Sequence, residues 1–175
     1  PTYARAPIAF ARGEGCFLIS TDGQRYLDFG SGIAVNALGH SHPALVAALQ
    51  DQAAKLWHTS NLYEIPHQRD LAERVVADTF ADLVFFANSG AEALEGCIKA
   101  ARRFHHVQGN PHKYRIIGAN SAFHGRTLAT ISAGNNAKHL EGFGPRVGGF
   151  DHVAFNNPNE LRAAITEETA AVLVE

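Results

Sequence analysis

Two short segments of the sequence concentrate residues that could hold a reacting molecule. The first reads Ala87-Asn88-Ser89-Gly90-Ala91-Glu92-Ala93 and lies between an apolar run and a helical pattern. Its small residues let a ligand approach the backbone. A helix opening near Ala91 turns its free amides and positive dipole end toward that ligand, which favours an anion such as phosphate. Ser89 adds a hydroxyl donor. No G-x-x-x-x-G-K-[ST] occurs, and no G-x-G-x-x-G follows a strand. A plain helix cap accounts for the same Ser-Gly pair, and the local pattern does not choose between the two readings. Ala87-x-Ser89-x-Ala91 also has the strand-turn-helix setting of a hydrolase nucleophile elbow, with alanine at both outer glycine positions.

The second segment is Asn120-Ser121-Ala122-Phe123-His124-Gly125-Arg126-Thr127. A phenylalanine at the carboxyl end of a strand can stack on a planar ring, and an arginine three residues on can pair with a carboxylate. Taken singly, Phe123 would be read as core and Arg126 as a solvated charge. Both fall on the strand edge where open α/β sheets bind ligands, the same edge as Ser89 and Gly90, and that convergence favours a binding role.

Other reactive residues give less. The lysines are Lys55, Lys99, Lys113 and Lys138, all on expected helices or loops, and each is read as solvated. His40-x-His42 and His105-His106 lack carboxylates or cysteines at ligand spacing, so no metal site is expected. Cys16 and Cys97 fit no disulfide framework, and a reducing, cytoplasmic setting is expected.

These residues need a scaffold, and the chain's periodicities supply one. Residues 7–30 read as a small β-meander, with Thr21-Asp22-Gly23 as a turn and Gly13-Glu14-Gly15 as another. Residues 30–39 are glycine-rich and irregular. Pro43 opens a helix to about Trp57, with Leu45, Val46, Leu49, Ala53 and Leu56 on one face. A helix over 66–79 follows, then an apolar strand, Leu83 to Ala87, then a helix from Ala91 to about Val107. Strands near 114–118, 152–155 and 170–175 alternate with helices near 126–133 and 158–166. The alternation predicts an α/β fold with a mostly parallel sheet. The division is placed near residue 42, giving an N-terminal segment 1–42 and a ligand-binding domain 43–175.

Apolar residues make up 46% of the 175-residue chain, charged residues 18%, and the net charge is −2. That balance gives no reason to expect nucleic acid or an anionic membrane as a partner. The chain has no methionine, begins at Pro1 and stops on an apolar strand-like run, so it is expected to be part of a longer one.

The ordered set of segments resembles the class III (fold type I) pyridoxal-phosphate-dependent aminotransferases, within them most closely the acetylornithine branch. Asn88 to Ala93 resembles their phosphate-binding turn and Phe123 to Thr127 their second loop. Leu27-Asp28-Phe29, Gly32-Ile33-Ala34-Val35-Asn36, Gly39-His40-Ser41-His42-Pro43 and Gly142-Phe143-Gly144-Pro145 match in order. The resemblance implies pyridoxal 5′-phosphate held at its phosphate by Ser89, Gly90 and Ala91, with Phe123 on its ring. It implies a substrate carboxylate on Arg126, with Tyr3 nearby. Ile33 stands where ornithine-specific members have a tyrosine, and an apolar residue there favours the acetylated donor. The implied reaction moves the δ-amino group of N-acetylornithine to 2-oxoglutarate, in a homodimer. The lysine that carries the cofactor is expected beyond residue 175, and Glu175 would begin a segment beside the cofactor. Ornithine, succinylornithine or 4-aminobutyrate are the alternative donors, and a hydrolase with Ser89 as nucleophile is the more distant alternative.

Overall fold

A computed structural model describes residues 2–175; Pro1 lies outside the described residues. The chain divides into two compact units, one ending at Leu71 and the other Ala72–Glu175.

In the first unit, β1 (Phe10–Glu14), β2 (Phe17–Ser20) and β3 (Arg25–Leu27) form an antiparallel meander in that order. The expected turn at Thr21-Asp22-Gly23 is present: Gly23 takes φ +87°, and the Ser20 hydroxyl hydrogen-bonds the Asp22 carboxylate. The first strand lies later than its sequence suggests. Gly13 and Glu14 are inside β1 rather than in a turn, because Gly13 leaves room for the His40 ring, which a Cβ there would approach to 2.5 Å. Ser31–Ala34 winds into a left-handed turn, with φ positive at all four residues. Helix α1 (Pro43–Ala53) then starts on Pro43 and stops short of Trp57, whose indole N–H donates to the Ala53 carbonyl at 2.7 Å. Its apolar face, expected to be buried, is open: Leu45 and Leu49 are both exposed. Helix α2 (Pro66–Asp78) runs across the division in sequence.

The second unit carries the parallel sheet. Its central strand β4 (Arg115–Ala119) pairs with β5 (Phe150–Val153) on one side and β6 (Thr169–Leu173) on the other, both parallel. Around it stand α3 (Gly90–Val107), α4 (Leu128–Gly134), the short α5 (Ala137–Leu140) and α6 (Pro158–Ala164). The core follows β4 and α4: Ile116, Ile117, Ile131 and Ala133 are buried. Each isoleucine there contributes about 1.5–3 kcal/mol through removal from water. Close approach of α4 requires Gly118, because a Cβ at that position would lie 2.5 Å from the Ala133 carbonyl oxygen.

One expected strand is absent from the sheet. Leu83 to Ala87 forms no ladder, and Leu83 and Phe85 are largely exposed. Both sides of β4 are already taken by β5 and β6, and among the described residues no strand stands beside 83–87. An apolar run with strand propensity needs such a neighbour to pair its amides and carbonyls. Lys138, expected in a loop, lies on α5.

Candidate functional site

Ser89 caps α3: its hydroxyl accepts from the Glu92 amide at 3.2 Å. Glu92 reciprocates, its carboxylate accepting from the Asn88 amide at 2.7 Å, a capping box whose return bond falls one residue upstream. Both bonds use acceptors, so the Ser89 proton remains free to donate. The amides of Gly90 and Ala91 are the first of the helix and have no acceptor within it. A Cβ on Gly90 would meet nothing within 4 Å, so the turn faces open space.

The second loop leaves the carboxyl end of β4 and comes directly against this turn. Gly125 takes φ +112°, and a Cβ there would stand 2.7 Å from the Cβ of Ala91. Only glycine satisfies both the backbone angle and the approach. Thr127 secures the junction. It caps α4 by accepting from the Thr130 amide at 3.3 Å, and it donates to the Glu95 carboxylate at 2.5 Å, tying the loop to α3. From the end of the chain, the Glu175 carboxylate accepts from the Phe123 amide at 2.7 Å.

Phe123 is half exposed. The Arg126 guanidinium lies 5.5 Å from the centre of its ring, and His139 meets the ring edge-on at 5.9 Å. Arg126, Lys138 and His139 line a recess of about 170 Å³ with Leu128, Ile131 and Phe143. His124 is buried with Nε2 unpartnered; burial holds its pKa below the ordinary histidine value, against the raising effect of the Glu175 charge. Ser89, Gly90, Ala91, Phe123 and Arg126 thus share one end of the second unit. Tyr3 belongs to the first unit, with an exposed ring, as does the exposed Ile33.

The donor set suits a phosphorylated planar ligand bearing or meeting a carboxylate: two amides, a hydroxyl, an exposed aromatic face and a guanidinium. Three participants escaped the sequence reading. Glu95 lies mid-helix and His139 far along the chain, and neither spacing signals a contact. Thr127-x-x-Thr130 did carry the pattern of a helix cap and could have been found.

The sequence model of the class-III aminotransferases matches residues 1–175. The chain belongs to the class-III aminotransferases. Among curated members it is 64% identical to the acetylornithine aminotransferase of Mesorhizobium japonicum and 62% identical to that of Agrobacterium fabrum. Each match covers 99% of this chain and 44% of the relative, so the chain spans less than half the length of these proteins. Solved structures agree. The ornithine aminotransferase of Toxoplasma gondii matches with a TM-score of 0.93 at 26% identity, over 99% of this chain and 42% of that one. The N-acetylornithine aminotransferase of Stenotrophomonas maltophilia matches with a TM-score of 0.79 at 36% identity, over 98% and 42%. A second Toxoplasma gondii ornithine aminotransferase structure, 28% identical with a TM-score of 0.91 over 98% and 41%, is described with pyridoxal phosphate partly occupying its active site. Membership of the aminotransferases replaces the hydrolase reading of Ser89. The α/β expectation with a parallel sheet holds, and among the described residues no helix is long and apolar enough to cross a membrane.

Proposed function

We propose that the protein containing this chain is a pyridoxal-phosphate-dependent aminotransferase that moves the δ-amino group of N-acetylornithine to 2-oxoglutarate. The observation that carries this reading is the junction at Gly125, where the open helix terminus meets the loop bearing Phe123 and Arg126. The names of the acetylornithine aminotransferases it resembles support the substrate.

Within that reading, the Gly90 and Ala91 amides and the Ser89 hydroxyl hold the cofactor phosphate, and the positive end of α3 stabilises its charge. Phe123 covers the ring. Arg126 pairs with the substrate carboxylate and so orients the amine-bearing carbon; Tyr3 is assigned to substrate binding on the family resemblance alone. The Thr127 bridge to Glu95 and the Phe123 amide bond to Glu175 keep the loop in place while ligands exchange. When bound, the cofactor supplies the electron sink for the transfer; its anchoring lysine lies beyond residue 175. Residues 1–42 form part of a small domain, and 43–175 belong to the cofactor-binding large domain, which continues beyond residue 175. The complete protein is a cytoplasmic homodimer.

The test uses the complete protein, incubated with N-acetylornithine and 2-oxoglutarate. Glutamate should form, and the protein should show a yellow absorbance that borohydride abolishes. A colourless protein that a fluorophosphonate labels at Ser89 would overturn the proposal. Faster turnover of ornithine, succinylornithine or 4-aminobutyrate would overturn the choice of donor.

A further inference from the structure

Phe123 is 51% exposed, so packing against the core does not by itself fix the angle of its ring. Two side chains reach that ring. The Arg126 guanidinium lies 5.5 Å from its centre. The imidazole of His139 stands 5.9 Å away between ring centres, with the two planes 79° apart. The second arrangement is an edge-to-face aromatic pair, which favours one relative orientation of the rings.

The two supports are not equivalent. Arg126 is the group proposed to take the substrate carboxylate, and a carboxylate competes strongly for a guanidinium that otherwise meets only an exposed aromatic face. His139 has no such second duty and can hold the ring whether or not substrate is bound. Its own place is well determined. Helix α4 ends on Asn135, which takes the left-handed φ of 49° that asparagine tolerates and so turns the chain into α5. The Asn135 side-chain amide donates to the Asn120 side-chain carbonyl at 2.7 Å, and its oxygen accepts from Arg146 at 2.7 Å. Asn136 then caps α5: its side-chain oxygen accepts from the Lys138 amide at 3.1 Å, and its carbonyl accepts from the His139 amide at 3.0 Å. The loop that carries Phe123 and the short helix that carries His139 are therefore tied together at their roots, Asn120 and Asn135.

We infer that His139 is a positioning residue for the cofactor: it fixes the angle of the Phe123 ring, and through Phe123 it sets how tightly the cofactor is held. This rests on the proposed function. His139 need touch neither cofactor nor substrate. Its removal lets the Phe123 ring turn while the phosphate turn and the loop backbone keep their places.

The complete protein serves for the test, with the variants His139→Ala, His139→Phe and His139→Leu, and with His139→Ala combined with Phe123→Leu. The readouts are the equilibrium affinity of the apoprotein for pyridoxal phosphate and the Tm of the apoprotein. One aromatic pair corresponds to roughly 2- to 12-fold in an equilibrium constant, so His139→Ala should weaken cofactor binding within that range at unchanged Tm. His139→Phe keeps an aromatic edge and should restore most of the affinity. His139→Leu keeps bulk without an aromatic ring; it should show the same loss, and it carries the test if His139→Ala does not fold. Added to Phe123→Leu, His139→Ala should cost nothing further, because the ring through which it acts is gone. Unchanged affinity in the folded alanine or leucine variant overturns the inference. So does a loss that phenylalanine fails to restore, or a full additional loss in the Phe123→Leu background. A wild-type protein that binds no pyridoxal phosphate would remove the proposed function and this inference together. A wild type that binds it, with unresponsive His139 variants, removes this inference alone.

Discussion

Gly90 and Arg126 separate binding from folding at the scale of single residues. Gly90 occupies the first position of α3 and faces open space, so Gly90→Ala leaves the fold intact. Alanine is a better helix former by up to about 1 kcal/mol, so Tm should hold or rise slightly. The added methyl group enters the space proposed for the phosphate, and cofactor affinity should fall at least tenfold in an equilibrium titration. An unchanged affinity would remove Gly90 from the phosphate site. Arg126→Ala removes a charge-assisted pair worth about 1.5–3 kcal/mol, so kcat/KM should fall roughly 10- to 150-fold, chiefly through KM. Normal kcat/KM in that variant would mean that the carboxylate binds elsewhere. Ile33→Tyr should shift the donor preference toward free ornithine, read as the ratio of the two kcat/KM values. Gly90 and Arg126 stood out as candidates because phosphate and carboxylate recognition would call for such residue types, and Ile33 through the family resemblance alone. His139 and Glu95 did not, because their parts depend on where α5 and α3 run.

Elements join at two places where sequence spacing alone gives little warning. Gly125 is the joint between α3 and the loop after β4. Gly125→Ala would combine a strained φ with a 2.7 Å approach to Ala91. Strain and crowding of this kind cost about 1–3 kcal/mol each, so Tm of the complete protein should drop by several degrees and cofactor should be lost with it. Retention of both would show that the loop can move aside at little cost. Between strands, Arg115 forms a two-pronged pair with Asp151 across β4 and β5, at 2.8 and 2.5 Å. The Arg115 hydrogen bonds hold the Asp151 carboxyl below its ordinary value and raise the guanidinium's own pKa. A carboxyl whose pKa is depressed on folding contributes stability above its unfolded value, near about 4, and loses it as pH falls through the folded value. Asp151→Asn should therefore lower stability at neutral pH, by about 1 kcal/mol for a partly exposed pair, and flatten the acid limb of a Tm-against-pH curve. The same acid limb in variant and parent would assign acid sensitivity to other groups. The longer helices and the turn at Thr21-Asp22-Gly23 were readable from caps, proline and periodicity, whereas the short α5 and the partners of each strand were not.

For the molecule as a whole, the 175 residues leave apolar surface open. Leu83 and Phe85 lie exposed in the segment that the sequence reads as a strand, Phe80 lies exposed just before it, and Leu49 and Trp57 are exposed in the first unit. Large contiguous apolar surface promotes association. Expressed as these residues alone, the polypeptide should bind a hydrophobic dye strongly and elute as aggregates, while the complete protein should elute as a dimer. A monomeric, dye-silent 175-residue polypeptide would mean that the run finds cover within itself. The sequence by itself determined the α/β class, the helices, the meander and the residue types suited to phosphate, ring and carboxylate, because these depend on neighbours within a few positions. Tertiary structure alone decided that Gly125 meets Ala91, that Glu175 reaches the Phe123 amide, and that Asp28 meets His40 twelve residues on. It also decided that Leu83 to Ala87, a strand by composition, has no ladder. Such contacts depend on which segments fold side by side, and a strand exists only where another chain segment completes its hydrogen bonds.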